Sequence, residues 1–218
     1  MSKTSLNIAF LFDLDGSLID SERQYTSMWS EIEKIYPTGI PDYEHYIKGR
    51  TLVNILESFY PTDEIRNDIK ARLIEMEEKM TFEYTQGADS LLSELERRGI
   101  PFALVTSSDE KKMSEVRKQM PGLEKRFNAI VLGDMISRSK PDPEGYLLAA
   151  KLLGCPARRC AVVEDALQGL RAGHAAGSYV IGMCDTLGRK AVEPEADVAL
   201  DSLLELDLDS IITILTSR

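Results

Sequence analysis

The sequence is poor in cysteine and has no excess of basic residues. Its three cysteines form no CxxC or cysteine–histidine metal-binding pattern, and such a low, odd count is typical of a reducing compartment. The net charge of −10 disfavours a nucleic-acid surface, because binding along a phosphate backbone requires a basic stripe. No apolar run approaches the length of a membrane span, and the polar first residues lack the apolar segment of a signal peptide. We therefore expect a cytoplasmic protein with neither a nucleic-acid nor a membrane partner.

Two common nucleotide-binding glycine motifs, GxGxxG and GxxxxGK[ST], are also absent from the sequence. The hydrophobic content of 43% and the charged content of 28% are those of a globular protein. A chain of 218 residues favours one core of ordinary size with a small additional unit.

The sequence pattern changes after the first apolar run and again near residue 86. Between these points apolar residues recur at three- and four-residue spacing among charged ones, which indicates three or four helices. Elsewhere short apolar runs alternate with helical patterns, as in a parallel sheet covered on both faces. We predict an α/β fold with a doubly wound parallel sheet. In this prediction residues 1–20 and 86–218 form the core, and residues 21–85 form a helical domain inserted after the first strand.

Reactive side chains stand at or shortly after the ends of the predicted strands. Most are carboxylates or hydroxyls, and one is an ammonium: Asp13, Asp15, Thr106, Ser107, Lys140, Glu164 and Asp165. In open α/β sheets ligands bind where the carboxyl ends of the strands meet. Carboxylates suit Mg²⁺, while hydroxyls and ammonium groups bind phosphate. The set therefore predicts phosphoryl transfer with a carboxylate nucleophile.

Four segments of the sequence, in order, resemble the four motifs of the haloacid dehalogenase superfamily: FDLDGSLIDS, VTSS, SKPDPEGY and VVEDALQGLRAG. The helical insertion directly after the first segment is similar to that of the phosphatase and β-phosphoglucomutase-like branch, whose small helical cap selects the substrate. The resemblance covers essentially the whole chain. It implies a Mg²⁺-dependent phosphatase that acts on a small phosphorylated metabolite through an aspartyl-phosphate.

The resemblance also implies the catalytic roles. Asp13 would be the nucleophile and a ligand of Mg²⁺. Asp15 would be the general acid and base, with its backbone carbonyl on the metal. Lys140 would neutralise the nucleophile and the phosphate together.

Binding roles are implied in the same way. Asp165 would bind Mg²⁺, and Glu164 would do so directly or through a water. The hydroxyl of Thr106 and the amide of Ser107 would bind the transferring phosphoryl group. Arg50, in the inserted segment, either reaches a distal anion of the substrate or is a solvated arginine.

Two positions favour a phosphatase over a phosphosugar mutase of the same branch. β-Phosphoglucomutases have a histidine where this chain has Tyr25, and a lysine for the second phosphate where it has Asp109. Dehalogenases proper and phosphonatases lack an acid at the position of Asp15, so this residue argues against both. The alternative from another class, a non-catalytic binding protein, is disfavoured because every expected catalytic group is present. As substrate we favour a sugar or polyol phosphate, and nucleotides stay open as an alternative substrate class. The sequence indicates no oligomeric state.

Overall fold

The computed structural model describes residues 7–218. Within this range six strands occur: β1 (Ala9–Phe12), β2 (Phe102–Val105), β3 (Ala129–Val131), β4 (Cys160–Glu164), β5 (Tyr179–Met183) and β6 (Val198–Leu200). They pair in parallel in one sheet of order β3-β2-β1-β4-β5-β6. The order reverses beside β1, so the prediction of a doubly wound parallel sheet is confirmed.

Helices follow nearly every strand in the described range. They are α1 (Glu22–Ile35), α2 (Tyr43–Tyr46), α3 (Leu52–Phe59), α4 (Asp63–Glu77), α5 (Ala88–Arg98), α6 (Glu110–Gln119), α7 (Glu144–Leu152), α8 (Leu167–Ala175), α9 (Arg189–Val192) and α10 (Leu208–Ser217). The predicted run of helices after the first strand is present as α1 to α4. None of the helices within residues 7–218 combines the length and apolar character needed to cross a membrane.

Strand β1 lies in the middle of the sheet and is buried on both faces. Phe10 and Phe12 belong to one apolar cluster, whereas Ala9 and Leu11 belong to another. Successive side chains of a strand point to opposite faces, so these are the clusters on the two sides of the sheet. A strand covered on both faces needs apolar residues at every position, which explains the uninterrupted run in the sequence.

The turn after β1 directs the chain away from the sheet edge. The Asp13 amide still donates to the Val163 carbonyl at 3.0 Å, so the first acid is held by the neighbouring strand. Gly16 has a φ of 74°, which favours glycine, and a side chain built on it would overlap the Asp165 carboxylate. The chain therefore bends close to Asp165 before it enters α1.

The inserted helices pack on one another through aromatic side chains. Tyr43 makes edge-to-face contacts with Trp29 and Phe59, with ring centroids 6.1 Å and 5.5 Å apart. Thr62 caps α4, where its side chain accepts a hydrogen bond from the Ile65 amide. These contacts give α1 to α4 an apolar interior that is continuous with the cluster on one face of the sheet.

Candidate active site

A buried lysine joins two acids at the carboxyl edge of the sheet. Lys140 Nζ donates to Asp13 Oδ1 at 2.5 Å and to Glu164 Oε1 at 2.6 Å. Asp165 follows β4, and one carboxylate oxygen from each of Asp13, Glu164 and Asp165 lies within 4.8 Å of the other two. All four side chains are buried. The structure thus brings together three of the predicted acids and the predicted lysine.

When they are ionised, these three buried acids carry more negative charge than the single lysine compensates. Burial raises the pKa of Asp13 to about 8, although Lys140 opposes the shift. Burial also raises the pKa of Asp165 well above its usual value, and Glu22 adds to the effect. Burial alone would lower the pKa of Lys140, but Asp13 and Glu164 outweigh it and keep the ammonium charged. A cluster of hard oxygen donors with excess negative charge fits Mg²⁺.

Glu164 is held by four hydrogen bonds. Its Oε1 accepts from Lys140 Nζ at 2.6 Å and from the Tyr146 hydroxyl at 3.1 Å. Its Oε2 accepts from the amides of Asp165 and Ala166, both at 2.8 Å. The side chain therefore fixes both Lys140 and the turn that leads into α8. That Glu164 also binds a metal, directly or through a water, stays a prediction.

Gly169 in α8 lies directly against the Glu164 carboxylate, and a Cβ at this glycine would overlap it. Because Glu164 cannot move without loss of its hydrogen bonds, we expect Gly169→Ala to lower the free energy of unfolding by about 1–3 kcal/mol, although alanine is the better helix former. Denaturant titration measures the change. Gly122→Ala is the matched control, since nothing lies within 4 Å of its Cβ position. Equal midpoints for the two variants would contradict the tight packing.

Asp15 lies beside a second lysine, which sequence analysis missed. Lys112 Nζ donates to Asp15 Oδ2 at 2.5 Å, and Ser108 Oγ donates to the same oxygen at 3.1 Å. Ser21 Oγ donates to Asp15 Oδ1. Lys112 is only 6% exposed. It lies one helical turn after Asp109, the N-cap of α6, so helical spacing counted from the second motif could have identified it.

The two residues predicted to bind the phosphoryl group have different surroundings. Thr106 Oγ1 accepts from the Ser108 amide at 3.0 Å, and Ser107 Oγ donates to the Gly49 carbonyl at 2.7 Å. Ser107 lines a cavity of about 430 Å³ between the sheet edge and the inserted helices, whereas Thr106 is not among the lining residues of this cavity. Both stand at the carboxyl end of β2, as predicted, and their roles toward a substrate stay predictions.

Arg50 lines the cavity from the inserted segment. Its guanidinium carbon lies 5.1 Å from the centroid of the Tyr46 ring and 5.7 Å from that of Phe59. Its Nη1 donates to Asn54 Oδ1 at 3.1 Å, while its buried Nε has no hydrogen-bond partner within residues 7–218. A guanidinium with an unsatisfied donor beside a cavity can bind an anion, and the contact of Arg50 with a distal anion of the substrate stays a prediction.

The site opens into a cavity of about 430 Å³. Asp13, Asp15 and Asp165 line it from the sheet edge, and the inserted helices add an apolar wall that includes Trp29 and Leu73. A cavity of this size accommodates a small metabolite. Its acidic end and its apolar wall come from different parts of the chain.

Residues 10–183 match a family model described as haloacid dehalogenase-like hydrolase. The chain belongs to the haloacid dehalogenase-like hydrolases. It is 34% identical over 202 residues to hexitol phosphatase A of Escherichia coli (strain K12), covering 90% of this chain and 92% of that protein. It is 30% identical over 207 residues to validoxylamine A 7'-phosphate phosphatase of Streptomyces hygroscopicus subsp. limoneus, covering 90% and 94%.

A solved structure has a similar fold. It is a variant of CbbY from Rhodobacter sphaeroides in complex with xylulose-(1,5)bisphosphate, with a TM-score of 0.75 and 25% identity. The match covers 93% of this chain and 98% of CbbY. The comparisons confirm the predicted family, the predicted α/β fold and the prediction of a phosphoric monoester hydrolase.

Proposed function

We propose that this hydrolase is a Mg²⁺-dependent phosphatase of a sugar or polyol monophosphate and acts through an aspartyl-phosphate on Asp13. The observation that carries the proposal is the buried Lys140 between Asp13 and Glu164, beside Asp165 and at one end of a cavity of metabolite size. Two relatives are named phosphatases of a hexitol and of validoxylamine A 7'-phosphate, and CbbY holds xylulose bisphosphate. Hexitol and xylulose are both polyhydroxy compounds.

In the first step Asp13 attacks the phosphorus atom. Lys140 Nζ occupies Asp13 Oδ1, which leaves Oδ2 to form the new bond to phosphorus. The ester P–O bond breaks, and Asp15 gives its proton to the leaving oxygen. Lys140 stabilises the charge that develops between the nucleophile and the phosphoryl group.

In the second step water hydrolyses the acyl phosphate. Asp15, now ionised, takes a proton from the water while the oxygen of that water bonds to phosphorus. The bond between phosphorus and Asp13 breaks, which releases phosphate and restores the carboxylate. One residue thus acts first as acid and then as base, and Lys112, Ser108 and Ser21 hold it in place through both steps.

The residues that would hold Mg²⁺ are Asp13 and Asp165, with Glu164 directly or through a water and the backbone carbonyl of Asp15. When bound, the ion would neutralise the excess negative charge and polarise the phosphoryl oxygens. The raised pKa values of Asp13 and Asp165 support this assignment, because a bound cation would stabilise the ionised forms that burial disfavours, and at Asp13 the attraction of Lys140 does not do so alone.

We also propose that residues 21–85 act as a cap domain over a core of residues 1–20 and 86–218, and that Arg50, Thr106 and Ser107 bind the substrate. Two observations support this division. Both parts line one cavity, and Ser107 donates a hydrogen bond across to Gly49. The cytoplasm is the proposed compartment, on the basis of the low cysteine content.

A panel of phosphorylated metabolites tests the proposed function. It contains hexose, hexitol, pentitol and glycerol phosphates together with nucleotides, and released phosphate is measured. We expect a sugar or polyol monophosphate to have the highest kcat/KM. The Asp13→Asn protein, purified in the same way, corrects for contaminating phosphatases. A nucleotide as the best substrate would contradict the substrate class, and no phosphate release from any compound would contradict the activity.

A further prediction separates hydrolysis from mutase activity. We expect no bisphosphate-activated interconversion of sugar 1- and 6-phosphates. Asp109 lines the cavity with its carboxylate fixed as the cap of α6, and the ammonium of Lys112 is engaged with Asp15. The Asp109 carboxylate therefore repels a second phosphate group of the substrate, and the Lys112 ammonium does not offset this repulsion. Phosphorus NMR follows both reactions at once, and rapid interconversion would instead assign a mutase.

A further inference from the structure

Lys112 connects the predicted acid and base to the inserted helices. Its Nζ lies 2.5 Å from Asp15 Oδ2 and 4.0 Å from the centroid of the Tyr25 ring in α1. The Tyr25 hydroxyl in turn donates to Glu77 Oε1 in α4 at 3.1 Å. The ammonium is thus held between a carboxylate of the sheet edge and an aromatic face of the insertion, a contact that is attractive in itself.

The backbone of Lys112 is fixed as well. Its amide donates to Asp109 Oδ1 at 2.9 Å, which is the capping bond at the start of α6. With its backbone held by the cap and its side chain nearly buried, the ammonium has little freedom to leave Asp15.

We propose that Lys112 is a positioning residue for the proton transfers of Asp15, and that the Tyr25 ring holds the Lys112 ammonium on that carboxylate. The inference rests on the proposed phosphatase mechanism. Three donors, from Lys112, Ser108 and Ser21, fix both oxygens of Asp15, and Lys112 is the charged one. A proton donor must lie within hydrogen-bond reach of the leaving oxygen, and a displacement of about 1 Å costs up to about 100-fold in rate.

From its position beside the cavity, Lys112 can act in two ways, which an experiment can distinguish. A lysine that lines the cavity can bind the substrate, and its loss would then weaken binding of every substrate by a similar factor. A lysine that positions Asp15 affects proton transfer, so its loss matters most for substrates whose leaving group needs protonation. The leaving-group dependence of kcat therefore distinguishes a positioning role from a binding role.

The first experiment measures Lys112→Met with a series of phosphate monoesters from alkyl to activated aryl. We expect kcat for alkyl esters to fall about 10- to 100-fold with little change in KM, and a much smaller loss in the phosphorylation step with activated aryl esters. Lys112→Arg should recover part of the loss, because guanidinium also donates to a carboxylate. Lys118→Met is the control, since Lys118 lies on the exposed side of the same helix and pairs with Glu115.

A double-mutant cycle then tests whether Lys112 acts through Asp15. In the Asp15→Asn background, Lys112→Met should cause little further loss, because the group that it positions is already gone. Losses that multiply would overturn the proposal and assign Lys112 a direct contact with the substrate. If the wild-type enzyme is active and the losses of the two variants multiply, only this inference is refuted. If the wild-type enzyme releases no phosphate, the proposed function is refuted.

Tyr25→Leu provides a test that leaves Lys112 in place. Removal of the ring should lower kcat for alkyl esters about 3- to 10-fold, and this effect should disappear once Lys112 is methionine. Thermal unfolding of each variant separates catalytic loss from loss of the fold. If Lys112→Met fails to fold, the dependence of kcat on the leaving group is measured with Tyr25→Leu alone. An unchanged leaving-group dependence in Tyr25→Leu would then overturn the proposal.

Discussion

Replacement of Asp13 by asparagine should abolish turnover, with kcat reduced by about four orders of magnitude or more. The amide has nearly the same shape and keeps an oxygen that accepts from Lys140, so the fold should persist. It cannot form an acyl phosphate, because its nitrogen is not a nucleophile and its oxygen carries no full charge. Phosphate release from the best substrate measures the loss.

A trapping experiment identifies the nucleophile independently of turnover. Wild-type enzyme quenched in acid during turnover should carry a phosphoryl group on the peptide that contains Asp13, and the variant should carry none. Asp134→Asn is the control, since Asp134 is also a cavity-lining acid that follows a strand but lies outside the cluster of Asp13, Glu164 and Asp165. Activity near the wild-type level in Asp13→Asn would show that another residue is the nucleophile.

Removal of divalent cations should lower activity by at least about three orders of magnitude, and Mg²⁺ should restore it. Within residues 7–218 the three buried acids have Lys140 as their only close cationic partner. Without a metal, burial therefore favours the protonated form of Asp13, which cannot attack phosphorus, and any ionised acid of the cluster repels a phosphate dianion. Ca²⁺ should inhibit, because its larger and looser coordination misplaces the nucleophile.

The metal can also be detected without any substrate. Mg²⁺ should raise the thermal unfolding midpoint of the wild-type chain, because an ion that binds only the folded state stabilises it. Asp165→Asn should greatly reduce this shift, whereas Asp134→Asn should retain it. Undiminished hydrolysis in excess chelator would contradict the metal requirement.

The acids at the strand ends could be predicted from the sequence, because their positions depend on a strong local signal. Each strand is a short apolar run that stops at the sheet edge, and parallel strands end at the same edge. Asp13 and Asp165 therefore had to lie close together once β1 and β4 were recognised as strands. The strand-end pattern also includes Lys140, but its catalytic role could be predicted only from the motif resemblance, since nothing in a lysine before a proline indicates that it turns inward.

Lys112 and strand β6 show where sequence information is insufficient. Lys112 stands in the charged stretch EKKMSEVRK, where one buried lysine has the same local pattern as two exposed ones. Its burial results from contacts with Asp15 and Tyr25, which are far away in the sequence. Strand β6 has three residues, too few for any periodicity, and it forms because the edge of β5 is available for pairing.

The hydrogen-bonded chain from Tyr146 through Glu164 and Lys140 to Asp13 has a consequence for natural variation. Tyr146 belongs to α7 and is buried away from the cavity, yet only two residues separate it from the nucleophile along this chain. A substitution that removes the Tyr146 hydroxyl would take away one of the two hydrogen bonds at Glu164 Oε1 and change how Glu164 competes with Asp13 for the ammonium. Such an enzyme would still bind its substrate normally, so an inactive form of this protein could arise with every cavity-lining residue intact.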